Sequence, residues 1–222
     1  MKKIKKVSFE IKEFRKINRN SYSSFILGGD IGGTNTNLGI LGIKNRNLEL
    51  LLLFKFESRK LKGLHYGVNE TLAYVQRNYQ LKINRACFAV AGVLSHKRDF
   101  VATQNIPWNV SKDEILNTSI LKNIILINDF EAIGHAINVI DSKDVFIIKR
   151  GKEIPRAPIL IIGAGTGLGK TTLIFNKDYG FYVPIPSEAG HTDFTAQNQS
   201  ELDLVDFVKA KNKTSQVPYE EI

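Results

Sequence analysis

Ile26-Leu-Gly-Gly-Asp-Ile-Gly-Gly-Thr-Asn-Thr-Asn-Leu-Gly-Ile-Leu41 is the stretch on which the reading of this chain turns. An apolar run enters it and another leaves it. The flanks therefore read as paired strands, and the glycines between them as a hairpin rather than a helix entry. Gly32, Gly33, Thr34 and Asn35 let backbone N–H groups approach an anion closely. Asp30 falls at the expected tip, placed to hold a metal ion or its water. An ordinary Gly-rich hairpin is the competing reading. Asp-x-Gly-Gly-Thr-Asn as a unit favours a phosphate loop of strand–turn–strand type.

Around this stretch the chain reads as an alternation of strands and helices. Leu48 to Phe56 is a third strand, which makes a meander. Apolar positions at Val68, Leu72, Val75 and Tyr79 have helical spacing. Ala86 to Val93 is a buried strand ending near Gly92. Ser111 to Glu114 forms a capping box that opens a short helix. Asn123 to Ile127 is another buried strand, and Phe130 to Val139 returns to helical spacing. Beyond residue 140, Val145–Ile148, Ile159–Ile162, Thr171–Phe175 and Tyr182–Ile185 read as strands, and Glu201–Lys211 as a helix. Pro218 with two following acids marks a further helix start. Strands alternating with helices indicate an α/β protein.

Charge is uneven along the 222 residues. The net charge is +9, and residues 1–20 carry eight Lys or Arg against two Glu, which is +6 of it. Residues 1–21 are expected to be a solvated basic extension; the rest of the chain is only mildly basic, so the overall charge is weak evidence for a nucleic-acid partner. No apolar run reaches the ~18 residues of a membrane span. The extension has no apolar core, so it does not read as a secretory signal. Cys87 is the sole cysteine. It leaves no intramolecular disulfide or Cys-rich zinc site and fits a reducing cytoplasm.

Three further constellations carry chemistry. Ile162-Gly-Ala-Gly-Thr-Gly-Leu-Gly-Lys-Thr-Thr172 nearly matches the P-loop of nucleoside triphosphatases. That motif needs Gly where Ala164 stands and a helix after the Thr. Thr171-Thr-Leu-Ile-Phe175 reads instead as a strand, so this too is a hairpin phosphate loop, with a P-loop hydrolase as the rival. Asn128-Asp129 stands where a buried strand gives way to a helix, a usual ligand position in α/β folds and equally a helix-cap position. Ser187-Glu-Ala-Gly-His-Thr-Asp193 could hold a metal through Glu188, His191 and Asp193, form a surface turn, or hydrogen-bond a polyhydroxyl ligand.

Asp30-x-Gly-Gly-Thr-Asn, Asn128-Asp-Phe-Glu-Ala132, Gly163-x-Gly-Thr-Gly-Leu-Gly169 and Ser187-Glu-Ala-Gly-His191 occur in this order. Together they resemble the bacterial-type ATP-dependent glucokinase family, over roughly residues 25–222. The resemblance implies the hexokinase/actin/Hsp70-like ATPase fold: a small α/β domain at 22–139 and an incomplete large α/β domain at 140–222, with mixed sheets. It implies transfer of the ATP γ-phosphoryl group to the 6-hydroxyl of glucose or a close hexose, with Mg²⁺ held through water at Asp30. Gly29, Asp30, Gly32, Gly33, Thr34 and Asn35 would form the first phosphate loop, and Gly163, Gly165, Thr166 and Gly167 the second. Asp129 matches the catalytic base. Asn105, Asn128, Asp129, Glu188, His191 and Glu220 match sugar ligands. A cytoplasmic enzyme with no membrane or nucleic-acid partner follows, and a homodimer is compatible.

The chain departs from the pattern in its basic extension, in Gln104 where the Thr-Asn-x-x-Trp region has Thr, and in Val93-Leu94 where many members have Pro after the Gly. Family chains run further and carry an adenosine-binding segment and a returning helix beyond this length. A non-catalytic sugar-binding fragment or pseudo-kinase is therefore the second alternative.

Overall fold

A computed structural model describes residues 8–45, 47–165 and 167–222. The chain divides into two units, residues 1–129 and 130–222.

The strands of the first unit are β1 (Glu10–Glu13), β2 (Ser24–Ile31), β3 (Asn35–Lys44), β4 (Asn47–Glu57), β5 (Arg85–Val90), β6 (Val93–Leu94), β7 (Phe100–Ala102), β8 (Val110–Ser111) and β9 (Asn123–Asn128). Six of them form one sheet in the order β1-β4-β3-β2-β5-β9, and β6, β7 and β8 form a small separate one. The meander β2-β3-β4 is antiparallel, while β5 and β9 run parallel to β2. Cross-strand register puts Leu27 opposite Ile40 and Ala86, and Leu38 opposite Phe54. Because side chains alternate along a strand, these residues share one face, and all of them are buried.

Helix α1 (Leu64–Tyr79) covers that face with Leu64, Val68, Leu72 and Val75. Their spacing of three and four residues is the stripe that a 3.6-residue period requires. Burying each such side chain contributes about 1.5–3 kcal/mol. The helix stops at Gln80, which takes the left-handed conformation with φ 56°. Helix α2 (Lys112–Thr118) starts at Ser111, whose Oγ accepts a hydrogen bond from the Glu114 N–H at 3.3 Å. The capping position expected there is formed.

Two sequence expectations fail in this unit. Residues 1–21 are not a solvated extension throughout: residues 1–7 lie outside the described residues, but β1 pairs with β4, and Phe9 and Ile17 pack against the core. The unit also ends at Asp129 rather than at 139. The reason is helix α3 (Asp129–Ala136). A side chain at Gly134 would meet Pro184 at 2.6 Å and Thr171 at 3.4 Å, so this helix packs on the sheet of the second unit.

That sheet is β10 (Ile159–Ala164), β11 (Leu168–Asn176) and β12 (Phe181–Ser187), antiparallel throughout. Helix α4 (Gln199–Asn212) begins at Asn198, whose Oδ1 accepts from the Glu201 N–H at 3.0 Å. Val145–Ile148 is not a strand. Phe146 and Ile148 are 87% and 91% exposed, and β-prone residues do not form a strand without a neighbour to pair with. After Pro218 there is only a single 3₁₀ turn, Tyr219–Glu221, rather than a helix. No helix among the described residues is long and apolar enough to cross a membrane.

Candidate functional site

The first Gly-rich stretch is the hairpin between β2 and β3. The Gly32 N–H donates to the Asn35 carbonyl at 3.0 Å and closes the turn. Asp30 is not at the tip: it is a residue of β2, paired with Asn37. Its exposed carboxylate accepts from the Asn37 amide at 3.2 Å. Gly29 is not a loop residue either. A side chain there would meet Phe88 at 2.5 Å and Ile31 and Leu38 at 3.0 Å, so this glycine makes room for core side chains.

The turn is held by Ser58, which the sequence reading missed, and by Trp108 of the stretch resembling Thr-Asn-x-x-Trp. The buried Ser58 hydroxyl donates to the Gly32 carbonyl at 2.7 Å and lies 2.9 Å from the Thr36 hydroxyl. The Ser58 N–H donates to the Thr34 carbonyl at 3.0 Å, and the Trp108 indole N–H donates to the Ser58 carbonyl at 3.0 Å. Buried polar groups in a closed network of this kind fix a loop's shape. The exposed Asn105 lies against the loop, its Cβ 2.9 Å from where a Cβ on Gly33 would stand. No local pattern marks Ser58; its partners are more than twenty residues away.

Asn128 ends β9 and Asp129 opens α3, both half-buried. Register sets Asp30 level with Ala89, and Ala89 level with Ile127. Asp30 and Asn128 therefore stand at the carboxyl ends of parallel strands two places apart, about 10 Å at the usual strand spacing. Carboxyl ends of parallel strands are where α/β sheets place ligands.

In the second unit, β10 and β11 form the second Gly-rich hairpin, closed by a Gly165 N–H to Gly167 carbonyl bond of 2.9 Å. Thr166 lies outside the described residues. The strand after the glycines disposes of the P-loop reading, since Lys170 is the third residue of β11 and opens no helix. Below the hairpin lies the Phe130 ring. A side chain on Gly163 would meet it at 2.7 Å, and one on Gly169 would overlap it outright. The close approach of ring and backbone is what requires glycine there.

Glu188, His191 and Glu220 come together beside this hairpin. His191 Nδ1 lies 2.9 Å from Glu220 Oε1, and its Nε2 lies 3.7 Å from Glu188 Oε2. Glu220 Oε2 in turn accepts from the Leu168 N–H at 3.3 Å. Residues from two parts of the chain thus join, and Glu220 anchors them on a phosphate-loop candidate. Carboxylates accept hydrogen bonds and an imidazole can donate or accept, which suits a ligand rich in hydroxyl groups. Asp193 does not join the cluster but bridges to Pro218. Among the described residues no group of three His, Cys, Asp or Glu is placed to hold a metal, so the metal reading of this segment falls away.

Against known proteins, the family model described as Glucokinase matches residues 27–222. A glucokinase from a Nostoc species is 34% identical over 201 residues, covering 90% of this chain and 57% of that protein. One from Pectobacterium atrosepticum is 29% identical over 185 residues, covering 83% and 54%. The chain thus spans a little under three fifths of these relatives. Among solved structures, a glucokinase from an Antarctic psychrotroph superposes with a TM-score of 0.68 at 26% identity, covering 89% of this chain and 59% of that one. For a Balamuthia mandrillaris glucokinase in complex with glucose the TM-score is 0.74 at 20% identity, with 90% and 59% covered, which speaks to fold alone. The fold is that of these kinases, with mixed sheets as the sequence led one to expect.

Proposed function

Because the chain belongs to the glucokinase family, we propose that the protein it represents transfers the γ-phosphoryl group of ATP to the 6-hydroxyl of glucose. The observation that carries this reading is the meeting of Glu188, His191 and Glu220 beside the second Gly-rich hairpin.

In this reading Asp129 accepts the 6-hydroxyl proton as the oxygen attacks the γ-phosphorus. The O6–P bond forms, the bond from that phosphorus to the β–γ bridging oxygen breaks, and ADP leaves with the bridging oxygen. Asn128 orients the sugar beside the base. Glu188 and Glu220 accept hydrogen bonds from sugar hydroxyls, and His191 is held in place between them. Asn105 adds a polar contact at the first loop. Phosphoryl transfer needs mainly positioning and charge stabilisation. The two hairpins cradle the phosphates, Gly32, Gly33, Thr34 and Asn35 forming the first and Gly163, Gly165, Thr166 and Gly167 the second, with the Gly32 and Gly165 N–H groups closing the turns.

Magnesium fits one place. Asp30 presents a single exposed carboxylate steadied by Asn37, which suits an ion that keeps most of its waters. Magnesium, when bound, offsets phosphate charge. A cytoplasmic setting agrees with the lone Cys87.

The test is a coupled assay with ATP, Mg²⁺ and a panel of hexoses, paired with calorimetric titration of glucose into the 222-residue chain. Glucose binding weakened by Glu188→Ala is the expected result. No glucose binding by a folded chain refutes the residue assignment.

A further inference from the structure

The family match begins at residue 27, yet the chain before it is built into the first sheet. Strand β4 contains Leu50-Leu-Leu-Leu-Phe54. As the last strand of a sheet, such a run would offer unpaired amides and carbonyls on an apolar, β-prone template, the feature that invites pairing with other chains. Strand β1 takes that position, with Glu10 opposite Lys55 and Glu13 opposite Leu52. The Phe14 N–H continues the ladder to the Leu51 carbonyl at 2.9 Å. The new edge is four residues long, each of them on the exposed side, and three of the four are charged: Glu10, Lys12 and Glu13. Short, charged edges resist further pairing.

Four exposed residues do not hold a strand in place by themselves, and both ends of the segment are anchored. At one end the Phe9 ring sits 5.6 Å from Phe54, 5.3 Å from Phe56 and 6.1 Å from Tyr74 of α1. At the other, Tyr22 lies over Gly42, where a Cβ would stand 2.8 Å from its Cε1. The Tyr22 hydroxyl donates to Glu49 at 3.0 Å, and the Ser23 N–H donates to the Ile43 carbonyl at 2.8 Å.

We propose that residues 9–23 are an edge-guarding strap, which covers the apolar edge of β4 and prevents this sheet from pairing with a second copy of the chain.

Two variants of the full chain test it. Phe9→Ala removes one anchor. Lys12→Pro removes a ladder donor, because bonded positions alternate along an antiparallel pair and Phe14 is one of them. Hydrogen–deuterium exchange should quicken about tenfold or more in the peptide covering 47–57, an opening of local rather than global kind. The peptide covering 168–176 should exchange as in the parent. Sedimentation velocity should show dimers that grow with concentration in the variants and not in the parent. Parent-like exchange in β4 in both variants overturns the strap. Faster exchange in β4 without any association overturns its guarding role.

Discussion

The two units share a motif and differ in what surrounds it. Each contains a Gly-rich hairpin followed by a third antiparallel strand, β2-β3-β4 in the first and β10-β11-β12 in the second. In the first, the meander is extended on both sides, by β5 and β9 at one edge and β1 at the other. Its core cluster joins 25 buried apolar residues, against Val205, Val208 and Val217 in the second unit, among the described residues. In the second, the far side of β10 has no described neighbour. The sheet face carrying Leu160 and Ile162 is open, with these residues 52% and 59% exposed. A cavity of about 360 Å³ lies on it, lined by Leu160, Ile162, Leu168 and Tyr219 among others. Among the described residues the two hairpins thus stand on cores of unequal size. What differs is not the hairpin, which is local, but how much apolar surface the rest of the unit supplies.

The junction residue offers the largest test. Asp129→Asn keeps the shape and one acceptor but cannot take a proton. In a form that turns over, kcat should fall about 10²–10⁴-fold, while the melting of either unit stays unchanged. Near-normal kcat would make Asp129 a helix-start residue only.

Stability separates the units next. Phe54→Ala, in the first core, should cost about 3–5 kcal/mol in urea unfolding. Val208→Ala, in the second, should cost at most about 1.6 kcal/mol, two methyl groups at ~0.8 each. Equal costs would mean that the second unit is as well packed as the first, and the contrast would fail.

Ligand binding comes third. Glu188→Ala should weaken glucose binding by about 1.5–3 kcal/mol, the range for hydrogen bonds to charged groups, which is roughly 10–150-fold in Kd. An unchanged calorimetric Kd would show that the small core of the second unit does not carry a sugar site.

The smallest effect belongs to Lys170. It stands on β11 and lines the cavity on the open face. Lys170→Ala should leave activity within about tenfold. Complete loss in a folded protein would restore the phosphate-contacting role that a P-loop lysine has and make the two hairpins unlike in chemistry.

Sequence by itself determined both hairpins, the meander, the helix stripe of α1 and the strand-to-helix step at Asn128-Asp129. These depend on periodicity and on turn residues within a dozen positions, where side-chain direction is set by the local backbone. Only the tertiary structure decided that Ser58 and Trp108 hold the first loop, that Gly29 serves Phe88 rather than the turn, and that His191 stands between Glu188 and Glu220. It also decided that α3 goes with the second sheet, that Val145–Ile148 stays unpaired, and that Glu10–Glu13, which has no strand pattern of its own, becomes one. Each of these depends on a partner far along the chain or on the lack of one. A strand exists only where another strand accepts its hydrogen bonds, and a buried hydroxyl only where distant groups satisfy it.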